Sequence, residues 1–458
     1  MFRKILSFKN KYKASITIFV FILSLIIILS FNSEKTLSQD INLTVSEKVM
    51  KMEEKLKKEF EAYFSQNFSK GSKTGDDISQ KLLEINQKSN IKTAVFWAMP
   101  GSEYLHLVFI SPGKKPLVQD ITLKDQTLIQ TVKSFHVEIT NTQLLFADFD
   151  LSQAQQLYEW IIKPFEANLE AEKIDTILFC LGKDLRTLPI AALHDGKKFL
   201  VEKYSLAIIP AFNLIDSNYT PIKKARILAM GASEFQTQTP LPAVPVELST
   251  IVNRNLTENI SPQNLSGGWP GELFLNQEFT LENLKNKLSS QSFNIIHLAT
   301  HAEFRPGKPE NSYIQFWDTK LHLDKVKEIN WNNPLAELLV LSACKTAVGD
   351  RDVELGFAGL ALEAGVESAL ASLWYVNDIG TLALMSEFYE QLKTAPSKAE
   401  AIRQTQIKMI QGDVLLKNKQ LKFSRGEISL PESLQGLGDT NFSHPFYWSG
   451  FTLVSSPW

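Results

Sequence analysis

At 458 residues the chain exceeds one small core, so two folded domains with additions are expected. Apolar residues make up 44% and charged residues 21%, an ordinary globular composition that excludes a disordered chain. A formal net charge of -2 leaves no basic excess to follow a phosphate backbone, so no nucleic-acid partner is expected, and two cysteines cannot build a disulfide scaffold.

In chain order, Arg3, Lys4, Lys9, Lys11 and Lys13 precede an apolar stretch over 14–31. That charge bias keeps the start in the cytoplasm and sends the continuation across the membrane. Residues 1–31 therefore read as a signal peptide or a retained membrane anchor, with the body on the extracytoplasmic side; a cytoplasmic body stays open. Residues 32–90 are a helical N-terminal region and linker. Met52, Leu56, Phe60 and Phe64 recur every four residues, a helical stripe predicted to pack on the chain's own body, and Gly71 opens a loop.

The span 91–220 reads as a first α/β half, with strands over 93–97, 105–110 and 174–181 and a helix over 152–170. Cys180 lies within the last apolar run and is expected to be an inert core thiol. The pattern restarts over 221–458. Strands are predicted at 225–232, 293–300, 337–343, 367–375 and 451–454, and helices at 246–253, 355–364, 380–392 and 397–410. The polar stretch 412–441 reads as a mobile loop. Two tandem α/β halves with mainly parallel sheets result.

Two strand ends in the second half carry reactive side chains, His301 and Cys344. Sites on open parallel sheets lie beyond the carboxyl ends of the strands, so these two can meet as a base and a nucleophile. The 43 residues between them hold one hairpin and one crossover. The backbone amides of Ala302 and Cys344 would hold an oxyanion if both chains turn sharply there. A histidine and a thiol that end two core strands without meeting is the competing reading. Asp350, Asp352 and Glu354 form either a solvated loop or a site for a basic substrate residue. No Gly-x-Ser-x-Gly elbow, metal-ligand spacing or dinucleotide turn occurs, so no cofactor is expected.

The runs around His301 (295–304), Cys344 (339–347), Gly356 (356–361), Trp374 (369–374) and His444 (444–448), with 188–195 and 204–206, resemble the CHAT domain, a caspase-like family of clan CD peptidases. The match spans roughly 150–458 and is most similar to cyanobacterial members. The resemblance implies an inactive caspase-like half followed by an active one, with His301 as general base and Cys344 as nucleophile. It makes His297 structural, and it puts Ala302 where the family often has glycine. Trp374 and Asp378 follow the strand that borders the substrate groove in such folds, with core or helix-capping roles as the alternatives. The implied activity is a cysteine endopeptidase acting on protein or peptide substrates. The alternative is a catalytically silent CHAT-fold signalling or scaffold module. Cleavage preference, activating signal and oligomeric state have no sequence signal.

Overall fold

The computed structural model describes residues 43–68, 71–145, 149–219, 222, 225–253, 268–329, 331, 335–346, 350–434, 436 and 438–458, with backbone alone at 343–346. The expected signal or anchor lies outside these residues. Among those described, no helix is long and apolar enough to cross a membrane.

Helix α1 (Val45–Phe64) starts from a capping box in which Thr44 and Glu47 each accept the other's amide. Its inner face carries Val49, Glu53, Leu56, Phe60 and Phe64, so the stripe packs on the chain's own body with Met52 at its border. Helix α2 (Gly75–Ser89) is capped likewise by Thr74 and Asp77, and begins inside the stretch expected as a loop.

Strands β1 (Thr93–Pro100), β2 (Tyr104–Ile110) and β3 (Leu117–Thr122) form an antiparallel meander. Helices α3 (Asp125–Thr140), α4 (Ser152–Ile161) and α5 (Glu166–Ala171) follow. The single helix expected over 152–170 is interrupted at Pro164, which has no amide to donate. Then come β4 (Thr176–Leu181), α6 (Leu200–Lys203) and β5 (Ser205–Ile208).

The second group opens with β6 (Ile227–Gly231), α7 (Val244–Ile251), β7 (Val252–Asn253), β8 (Trp269–Leu275) and α8 (Leu281–Ser290). It continues with β9 (Ile295–Phe304), the hairpin of β10 (Tyr313–Gln315) and β11 (Lys320–His322), and β12 (Leu338–Thr346). Next are α9 (Arg351–Ala358), α10 (Leu360–Ala364), β13 (Ser368–Ser372), α11 (Asp378–Leu392) and α12 (Lys398–Ile410).

The stretch expected as a mobile loop is instead a small sheet of β14 (Leu415–Lys417), β15 (Gln420–Phe423), β16 (Gly426–Ser429) and β17 (Thr440–Asn441). Alternation buries Leu416, Leu421 and Ile428, and Glu387 of α11 accepts the Ser424 amide at 2.8 Å. Helix α13 (Pro445–Trp448) and β18 (Phe451–Ser455) end the chain.

The main sheet runs in the order β3-β2-β1-β4-β5-β18-β13-β12-β9-β6-β8-β7, with the β10–β11 hairpin attached to β9. Its central neighbours are parallel, apart from β18 against β13. Helices cover the parallel strands, so β4 and β13 are buried at every position. The chain's last strand, β18, lies between β5 and β13 and joins the two groups in one sheet.

Burial leaves a pH-sensitive mark on this core. His136 and Trp374 meet in a T-shaped ring contact, 5.3 Å between centroids, and His136 Nε2 has no hydrogen-bond partner among the described residues. Desolvation pushes its pKa from 6.5 down to about 4, and does the same to His444. The unfolded chain then binds these protons more tightly, so stability is lost as pH falls from 6.5 through 4. The melting temperature should drop between about pH 7 and about pH 5, and His136→Phe, which keeps the ring contact, should shrink that drop. Thermal unfolding at both pH values checks this; an unchanged drop in the variant would acquit His136.

Candidate active site

His301 stands at the carboxyl end of β9, among loops that follow β6 and β13. The β9–β12 ladder carries one irregularity: Leu341 pairs with Leu298, but Ala343 pairs with His301, so β9 holds one extra residue. The extra residue lies beside Gly231, the last residue of β6. There the Ala299 carbonyl accepts the Ala232 amide at 3.1 Å. A Cβ on Gly231 would come within 2.5 Å of that carbonyl and 2.9 Å of Val244.

The loop after β6 returns to His301. Its Thr239 carbonyl lies 2.8 Å from His301 Nε2. A carbonyl can only accept, so Nε2 carries the proton and Nδ1 keeps its lone pair. Phe235 of the same loop packs its ring 4.8 Å from the imidazole, and Tyr375, after β13, packs 6.3 Å away. Desolvation holds the His301 pKa below 6.5, opposed by the Thr239 bond and the Glu303 charge. His301 is thus neutral near pH 7, with its lone pair on Nδ1.

Cys344 lies on β12 beside Ala302, one register step past the Ala343–His301 pair. Backbone topology therefore brings the two expected residues to neighbouring positions on adjacent strands. Without the extra residue in β9, position 344 would pair with 301 directly. The oxyanion expectation fares differently. Strands β9 and β12 continue to Phe304 and Thr346, and Ala302 is also paired with Ile314 of β10. Neither chain makes the sharp turn at Ala302 or Cys344 that an open pair of amides requires.

The remaining candidates have structural positions. Trp374 is 6% exposed and donates its indole N–H to the Phe446 carbonyl at 3.0 Å, a core role rather than a groove wall. Asp350 caps α9 by accepting the Asp352 and Val353 amides, and Glu354 is buried, so the cluster forms the start of a helix rather than a solvated loop. Asp378 is not the cap of α11; Asn377 is, accepting the Gly380 amide at 2.9 Å. Asp378 instead accepts the Ala243 amide at 2.5 Å, tying α11 to the start of α7. Burial raises its carboxyl to about 7, with the Glu247 charge adding to the rise.

His297 is wholly buried, with Nε2 2.8 Å from Glu247 and Nδ1 3.0 Å from the Tyr389 hydroxyl. These bonds lock α7 and α11 onto β9. Cys180 is buried, and desolvation raises its thiol pKa, as an inert core thiol requires. The sequence reading missed Thr239, Phe235 and Tyr375. Thr239 acts through a backbone carbonyl, which leaves no side-chain signature. Among the described residues no group of side chains could hold a metal ion.

Residues 151–456 match the CHAT domain, and the chain belongs to that family. No curated protein matches its sequence. Among solved structures, the Saccharomyces cerevisiae separase–securin complex is similar at 13% identity and a TM-score of 0.46, over 83% of this chain and 31% of that one. The complex of Porphyromonas gingivalis RgpB pro- and mature domains is similar at 10% identity and a TM-score of 0.38, over 73% and 77%.

Two outcomes test this geometry. Gly231→Val should destabilise the fold by about 1–3 kcal/mol through overpacking against β9, read as a lower unfolding midpoint in denaturant. The His301 ring should titrate below 6.5 by NMR, and Phe235→Ala, by admitting water, should move the midpoint up toward 6.5. A midpoint at or above 6.5 in the unaltered chain would contradict the desolvated site.

Proposed function

We propose that this chain is a cysteine endopeptidase acting on protein or peptide substrates through His301 and Cys344. The observation that carries the reading is the tethered imidazole. Thr239 holds Nε2–H, leaving Nδ1 to accept a proton, and the backbone of Cys344 lies one register step away on the neighbouring strand. Family membership supports the same assignment.

In this reading the neutral imidazole takes the Cys344 thiol proton and the thiolate attacks the scissile carbonyl. His301 returns the proton to the leaving amine as the C–N bond breaks, and a water molecule then hydrolyses the thioester. The Ala302 amide, enclosed between β10 and β12, is no oxyanion donor in this reading.

One observation favours the silent signalling or scaffold module instead: Cys344 stands on a strand that continues to Thr346, not on a turn. An activity probe directed at thiols separates the two readings. The peptidase predicts labelling of Cys344, loss of label in Cys344→Ala, and cleavage of a peptide library that drops about a hundred- to ten-thousand-fold in His301→Gln. Label confined to Cys180, with no cleavage, favours the scaffold.

Tethering or export by residues 1–31, with the body on the extracytoplasmic side, belongs to the same proposal. Protease accessibility on intact cells tests it. A body protected from added protease would overturn that placement.

A further inference from the structure

Helix α1 precedes the family-matched span of 151–456, yet it bonds to β1 of the first group and packs on α9 of the second. Near its middle, Glu53 is fully buried. Its carboxylate accepts the Trp97 indole N–H at 2.9 Å and the backbone amides of Phe212 and Asn213 at 3.2 and 2.8 Å. A buried carboxylate with three donors anchors the helix to β1 and to the turn after β5.

Farther along, α1 meets first the segment after β4 and then α9 of the second group. Glu59 pairs with Arg186 at 2.5 Å, and Arg186 is itself buried against the Phe60 ring. Arg186 Nε and Nη1 have no partner among the described residues, and neither has Oε1 of the buried Glu354 on α9. The other Glu354 oxygen accepts the Asp184 amide at 2.9 Å, two residues from Arg186. The Arg186 charge opposes the burial that lifts the Glu354 carboxyl to about 7, so the guanidinium is felt by carboxylates of both α1 and α9. At the end of α1, the Tyr63 hydroxyl and the Phe64 ring occupy the space that side chains on Gly356 and Gly359 would fill. Gln66 hydrogen-bonds Glu363 of α10. Helix α9 begins at Arg351, seven residues after Cys344 in sequence.

We propose that α1 is a positioning strut for the nucleophile segment: its docking through Phe64 and Arg186 holds α9 and α10, and with them the approach to Cys344, in one conformation. Phe64 and Arg186 are positioning residues in this arrangement. The role at Cys344 rests on the peptidase reading; the coupling of α1 to α9 does not.

Hydrogen exchange followed by mass spectrometry on the full chain tests the coupling. The comparison is between Phe64→Ala, Phe64→Leu, Arg186→Met and, as a control, Leu128→Ala in α3, which packs on α4. Protection of the α9 amides should fall at least about tenfold in Phe64→Ala and Arg186→Met, stay near wild type in Phe64→Leu, and be unaffected in the control. Alkylation of Cys344 by iodoacetamide should change in parallel. Should Phe64→Ala fail to fold, Arg186→Met against the control decides the matter. Unaltered α9 protection in Arg186→Met, or an equal loss in Leu128→Ala, overturns the proposal. Intact coupling without any peptide cleavage would instead count against the peptidase reading alone.

Discussion

The contact between β6 and β9 at Gly231 and Ala299 governs where the imidazole emerges. A strand's side chains alternate faces, so a single added residue reverses which face each later residue presents. Here the addition falls just before His301, and it sets the offset between His301 and Cys344. Only glycine leaves room for the displaced Ala299 carbonyl at this point. The loop leaving Gly231 then supplies the Thr239 carbonyl that orients the ring. One close approach of two backbones thus fixes both the position and the tautomer of the candidate base.

Around that contact, buried polar groups do the aligning. His297 bridges Glu247 and Tyr389, and Asp378 reaches the Ala243 amide, so α7 and α11 are held against β9 from below the site. Each of these groups would be costly to bury alone, and each is satisfied by a partner on a different element. Such bonds constrain direction as well as distance, which apolar contacts do not.

Much of this architecture was legible beforehand because hydrophobic runs report parallel strands covered on both faces. The strands that carry His301 and Cys344, the hairpin and crossover between them, and the inward stripe of α1 follow from period and length, although both strands run on past these residues, to Phe304 and Thr346. The reading failed where the deciding term was local geometry or a distant partner. Pro164 and Gly359 divide helices expected to be continuous. The stretch 412–441, polar in composition, orders because Leu416, Leu421 and Ile428 share one face and Glu387 offers a carboxylate to Ser424.

The same division runs through the site. The sequence by itself determined the family, the two strands that carry an imidazole and a thiol, and the inert setting of Cys180, because these depend on residue type and on apolar runs. Only the tertiary structure decided that Trp374 belongs to the core, that Asp350 and Asn377 are caps, and that Thr239 holds His301. It also decided that Ala302 is enclosed between strands. Register, burial and backbone hydrogen bonds arise from contacts between segments far apart in the chain, and no local pattern of side chains encodes them.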